Sequence, residues 1–152
     1  MATERLDRPY SQFNFRVSWD GLDENSAQAG FQEVSGLGME ITIAEYRAGN
    51  AATNEPTKIT GTVKTPDVTL KRGVIGELST LYDWLNEVRN GSQIALKNVT
   101  IKLMSEDRET VAQTWRLINS RPMKYTGPSL NGKGTDLAVE ELVLSAERIE
   151  LN

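Results

Sequence analysis

Neither cysteine nor histidine occurs in the 152 residues. Their absence removes disulfides, zinc sites built on nitrogen and sulfur, thiol and Ser-His nucleophiles, and the commonest general base at neutral pH. Long apolar runs are missing too. No stretch approaches the roughly 18 apolar residues of a membrane span, and the opening MATERLDRPYSQ has no signal-peptide core. Production and assembly in the cytoplasm are therefore expected. Nor does one charge sign dominate: 17 Lys and Arg face 21 Asp and Glu, interleaved, for a net charge of -4. That balance gives no support for binding nucleic acid by charge. At 38% hydrophobic and 25% charged, the composition is that of an ordinary folded protein, not a disordered one.

What the chain has is alternation. In YSQFNFRVSWDGL, residues 10–22, Phe13, Phe15, Val17 and Trp19 share one parity and Asn14, Arg16, Ser18 and Asp20 the other. Successive strand side chains point to opposite faces, so this pattern predicts a strand with one face in the core. In residues 31–49, Gly36 and Gly38 separate two extended pieces. The second, 39–47, carries Ile41 and Ile43 on one face and Glu40, Thr42, Ala44 and Tyr46 on the other. Residues 48–56 read as a loop. TKITGTVK, 57–64, then resumes alternation with Lys58, Thr60, Thr62 and Lys64 on one side, which predicts a long hairpin with 39–47.

Pro66 ends that run, and 67–73 is a short strand with Val68 and Leu70 on its apolar face. One segment differs: Leu78, Leu81, Tyr82, Leu85 and Val88 recur at helical spacing before Asn90-Gly91, predicting a helix over about 76–90. Strands at 99–104 and 110–118 flank the turn SEDRE. Residues 119–136, rich in Pro, Gly and Asn, read as a connector. A strand is expected over 137–146, although Val139, Leu142, Val143, Ala146 and Ile149 would also form a helical stripe. Seven or eight strands and one helix, without βαβ alternation, predict a mainly β protein: an antiparallel sandwich or barrel with one flanking helix. A chain of this length buries roughly 68–70% of its unfolded surface, enough for one core, so 1–152 is expected to form one domain, with 1–8 a flexible or interface arm.

Chemistry-bearing motifs are weak. GVIGE (73–77) and NGKGTD (131–136) lack the spacing of nucleotide-binding loops and read as turns. DENS (23–26) lacks the ligand ladder of a calcium loop. Glu140 and Glu141, like Asp23 and Glu24, are sequence neighbours; on a strand such neighbours point apart and cannot share one site. Trp19, Trp84 and Trp115 could form a platform for a sugar or a base, but at least two are expected to anchor the core or an interface. No cofactor, metal or catalytic residue is expected.

In order and spacing, GFQEVSGL, EYR.G, TLKRG, the helix with LYDWLNEVRNG, WRLINSRPMKYTGP and VEELVLSAE resemble the tail tube family of contractile phage tails and phage-tail-like contractile injection systems, over residues 8–148. The resemblance implies a structural inner-tube subunit: hexameric rings stacked into a rigid hollow tube, driven through a target envelope by sheath contraction and conducting cargo. It implies as partners further copies of itself, a sheath protein, baseplate or hub and tube-capping proteins, and an effector or DNA in the lumen, within a phage-tail-like particle. By the same resemblance, Glu40, Thr42, Lys58, Thr60, Thr62 and Lys64 are candidates to line the lumen. Gly49, Asn50, Thr53, Asn54 and Glu55 are candidates for ring stacking. Asn14, Arg16, Ser18, Tyr46 and Arg47 are candidates to face a neighbour or the sheath. The first turn, DGLDENSAQAG, and the Thr-rich NEPTKITGTVKTPD depart from the family pattern. A type VI secretion-like tube subunit is a near alternative, and a monomeric β-barrel ligand-binding module is one of a different class.

Overall fold

A computed structural model describes residues 8–26, 29–75, 79–92 and 95–152. The expected arm at 1–8 lies, except for Arg8, outside the described residues, as does the start of the expected helix at 76–78. The elements are β1 (Phe15–Ser18), β2 (Phe31–Ser35), β3 (Glu40–Tyr46), β4 (Thr57–Lys64), β5 (Val68–Gly73), α1 (Thr80–Arg89), β6 (Lys97–Met104), β7 (Val111–Thr126), β8 (Val139–Ser145) and β9 (Arg148–Leu151). The fold is thus mainly β and antiparallel with one helix, as the periodicity predicts.

The main sheet runs β1-β6-β7-β8-β5-β2, with β9 also on β7, while β3 and β4 pair only with each other. β7 makes this sheet into two layers. Its first part pairs with β6 from Val111 to Ser120 and with β9 from Trp115 to Ile118; its last part, from Arg121, pairs with β8. The chain turns between the two parts at Asn119, whose φ is 52°. The Asn119 N–H donates to Asn98 Oδ1 at 3.0 Å, and its Nδ2 donates to Glu147 Oε2 at 2.9 Å. Residues 119–126 are therefore strand, which corrects the connector expected over 119–136. Pro122 is accommodated because the register shifts between Pro122 and Lys124, and a bulge tolerates a residue without a backbone donor.

The core lies between the layers: Val17, Val68, Leu70, Leu81, Val99, Leu117, Leu142 and Leu144 are fully buried. Trp19 stacks obliquely against Trp84 and Phe31, with ring centroids 5.4 and 5.8 Å away. The Trp84 Nε1 donates to Ala95 O at 2.9 Å, giving the indole's polar end the partner that burial requires. Among the described residues no side chain caps the N-terminus of α1, so this short helix depends on packing of Leu81 and Trp84. Two expected core residues lie outside it. Tyr82 is exposed on α1, and Phe13 is 68% exposed because β1 begins only at Phe15.

Candidate assembly surfaces

β2 leads into β3, and β4 into β5, so β2/β5 and β3/β4 form one two-stranded ribbon with a joint at residues 36–39 and 65–67. Gly36 stands at that joint with a φ of 89°, and a Cβ there would lie 2.2 Å from Asp67 O. Only glycine fits this combination of conformation and contact. Beyond the joint the hairpin projects from the body, and every residue of β3 and β4 is exposed.

A bulge divides the hairpin's faces. Ile41 pairs with Val63 but Ile43 pairs with Thr60, so Thr42 opposes both Gly61 and Thr62. Gly61 occupies the crowded position: a Cβ there would sit 2.9 Å from Thr42 O. Cross-strand partners share a face, and the extra residue resets the alternation of β4. Glu40, Thr42, Thr62 and Lys64 therefore lie together with Ala44, Tyr46 and Ile59. Lys58 and Thr60 lie on the opposite face, with Ile41, Ile43, Glu45 and Val63. This corrects the single face expected for Lys58, Thr60, Thr62 and Lys64.

At the tip, Arg47 Nε donates to Thr53 O at 3.0 Å and Nη2 reaches Ala51 O at 3.5 Å. Arg47 thereby braces the loop holding Gly49, Asn50, Thr53, Asn54 and Glu55, all exposed like Tyr46. Arg16 is likewise engaged within the chain, donating from Nη2 to Arg108 O at 2.8 Å and approaching Glu24 Oε1 at 3.5 Å. Lys102, the cross-strand neighbour of Arg16, donates to Glu24 Oε2 at 2.9 Å. These contacts, the Lys102 hydrogen bond foremost, lower the Glu24 pKa. Asn14 and Ser18 are half-buried, and Asn14 O accepts from Met104 N at 2.8 Å.

The layer β2-β5-β8-β7 has an open strand edge on each side among the described residues: β2, which pairs only with β5, and 121–126 of β7, which pair only with β8. All neighbours in the layer are antiparallel. Its inner face carries Val68, Leu70, Leu142 and Leu144; its outer face carries Glu33, Thr69, Lys71, Glu141 and Val143. Lys71 lies 3.5 Å from Glu33. An open cleft of about 560 Å³ adjoins the β2 edge, between Phe15, Val34, Leu37, Leu103 and Trp115.

One polar feature was missed in the sequence. Arg72 is fully buried and donates from Nε and Nη2 to Glu140 Oε1 at 2.9 and 2.6 Å, while Tyr125 donates to Glu140 Oε2 at 2.8 Å. Burial and the Glu140 bond raise the Tyr125 pKa. The signal was present: Arg72 shares the parity of Val68 and Leu70, and Glu140 that of Leu142 and Leu144. Arg72 and Glu140 are also direct cross-strand partners. Among the described residues, no group of three or more Asp and Glu could hold a metal, and no helix is long and apolar enough to cross a membrane.

The fold combines a projecting ribbon with a sheet layer that leaves a strand edge open on each side among the described residues. The family model of T4-like virus tail tube protein gp19 matches residues 11–150, and the chain belongs to that family. It is a structural tube subunit of the contractile injection type. Its structure superimposes, with a TM-score of 0.83 and 30% identity, on a chain of the PVC sheath/tube terminator of an extracellular contractile injection system, covering 97% of this chain and 99% of that one. A chain of the PVC sheath-tube complex in the extended state gives 0.80 and 29%, over 97% and 93%. Hcp1 from Flavobacterium johnsoniae, at 0.55 and 15% over 92% and 95%, shares the fold. No curated protein sequence matches.

Proposed function

We propose that six copies close into a ring by pairing the β2 edge of one with the 121–126 edge of the next, and that rings stack into a hollow tube. The observation carrying this reading is the β2-β5-β8-β7 layer, with one face in the core and, among the described residues, an open edge at each side. Four strands of alternating direction repeat without conflict around a ring, because β7 of one copy runs opposite to β2 of its neighbour. Closure removes the edges, which are otherwise sites of fraying and uncontrolled association. In this ring the outer face of the layer lines the lumen with Glu33, Lys71 and Glu141, and the hairpin face bearing Glu40, Thr42, Thr62 and Lys64 continues it. The charged residues named carry both signs, three acidic and two basic.

A sheath around the tube supplies the driving force, a baseplate and a cap bound its ends, and the tube is carried through the target envelope with its cargo, an effector or DNA. The PVC relatives, whose structures are of a sheath-tube complex and a tube terminator, support these partners. The subunit's work is mechanical and needs no catalytic group. Negative-stain microscopy of the full chain, and of the particles it comes from, tests the ring: six-fold annuli or striated tubes are expected. A monomer in both preparations would favour the ligand-binding module instead. Cysteines placed singly in this cysteine-free chain test the lining, since in tubes Thr62→Cys is expected to resist a bulky maleimide that a small one reaches.

A further inference from the structure

Asn-Gly occurs twice in the chain, at Asn90-Gly91 and Asn131-Gly132. Glycine puts no side chain in the way of a close approach by its main-chain nitrogen, so the nitrogen after each asparagine can attack the side-chain amide. All four residues are exposed, and exposure does not separate the two pairs. Hydrogen bonding does. Gly91 N donates to Val88 O at 3.0 Å and Ser92 N to Glu87 O at 3.4 Å, which ties the attacking nitrogen to the end of α1. The Asn90 ψ of 11° also turns that nitrogen toward the residue's own N–H and away from its side chain. Rotation there would move the chain that leads to buried Ala95, whose O holds Trp84 Nε1.

At Asn131 the nucleophile is unheld: among the described residues no hydrogen bond engages the Gly132 N–H. A Cβ on Gly132 would meet nothing within 4 Å, and residues 129–138 are all exposed, so rotation displaces only surface chain. The Lys133 N–H donates to Asn131 Oδ1 and the Gly134 N–H to Asn131 O, each at 3.0 Å. Both bonds are local, and each polarises a carbonyl whose carbon is attacked in turn.

We propose that Asn131 is a site of spontaneous deamidation and that the fold spares Asn90. Gly132 N attacks Asn131 Cγ: the N–Cγ bond forms, the Cγ–Nδ2 bond breaks, and the proton of Gly132 N leaves with Nδ2 as ammonia. Water then opens the resulting succinimide, its hydroxyl adding to a ring carbonyl carbon and its other proton returning to the nitrogen. Addition at the main-chain carbon gives isoaspartate; addition at Cγ gives aspartate. Either product adds a carboxylate beside Lys133, and isoaspartate routes the main chain through Cβ. The change accumulates with the age of the subunit and does not depend on the ring reading.

Incubation of the full chain at mildly alkaline pH, followed by trypsin and mass spectrometry, tests the proposal. Tryptic peptides 125–133 and 90–97 each hold one Asn-Gly pair. In the native protein 90–97 is expected to convert about tenfold more slowly than 125–133, the weight of two ordinary hydrogen bonds. In urea the two rates are expected to converge. Equal rates in the native protein, or no conversion at Asn131, would overturn the proposal. Gly132→Ala, at an open position, is expected to slow conversion at Asn131 without altering the circular dichroism spectrum. An unchanged rate in that variant, or a product containing aspartate without isoaspartate, would mean direct hydrolysis of the amide by water and would overturn the route through Gly132.

Discussion

Arg72 and Glu140 show how much one buried pair matters to this small core. A guanidinium and a carboxylate taken out of water are tolerated because they bond each other and Tyr125 completes the carboxylate's partners. Removing one partner leaves a buried charge uncompensated, so Glu140→Ala is expected to cost about 3–5 kcal/mol in urea unfolding. Arg72→Met combined with Glu140→Leu is expected to cost far less, because neither charge is then stranded. Asp107 is governed by the opposite extreme of exposure. It accepts from Ser105 Oγ at 2.6 Å, from the N–H groups of Thr110 and Glu109 at 3.0 and 2.9 Å, and from Thr110 Oγ1 at 2.9 Å. These bonds, the Ser105 one foremost, hold its pKa well below the usual carboxylate range. A depressed value means stability present above the unfolded carboxylate's pKa, near 4, and lost as the pH falls from there through the folded value. Asp107→Asn is therefore expected to flatten the acid limb of a urea-midpoint-against-pH curve.

The elements most legible in the sequence were those with clear alternation: β1, β4 and β5 were readable by period, and β3 more loosely. The helix was legible through its spacing, but the stripe alone favoured Tyr82, whereas packing buries Trp84. Two readings failed because a single residue changed the rule. Pro122 suggested a break, yet the register shift beside it lets β7 continue. Gly61 looked like an ordinary strand position, yet it creates the bulge that sends Lys58 and Thr60 to the face opposite Thr62 and Lys64. A period-2 count cannot detect an inserted residue. Two substitutions act at this scale. Gly36→Ala is expected to destabilise the ribbon joint by about 1–3 kcal/mol, read from thermal unfolding, because φ is positive and the new methyl meets Asp67. Deletion of residues 49–55 is expected to leave the circular dichroism spectrum and rings unchanged while abolishing stacked tubes in micrographs, because the loop contributes nothing to the core.

At the level of the whole molecule, the sequence disclosed a two-faced β protein but not which edges stay open. That information lies in the order of strands in the sheet, and strand order follows from contacts far apart in the chain. The family resemblance supplied the architecture that periodicity could not. A proline in β2, such as Gln32→Pro or Glu33→Pro, tests the edge at this scale. The substitution at whichever position turns its N–H outward is expected to spare the monomer's fold, yet to reduce rings strongly in sedimentation.

The ribbon that runs from β2/β5 through the Gly36 joint into β3/β4 lies along the strands, and in the proposed tube a push directed along those strands would pass through it. A force entering at the hairpin and leaving at the far end of β5 acts parallel to the strands and across their hydrogen bonds. It loads the rungs of the ladder together, in shear, instead of opening them one after another like a zip. Resistance then scales with the number of rungs, and the kinked joint, where rungs are missing, is the place where such a column would first give way.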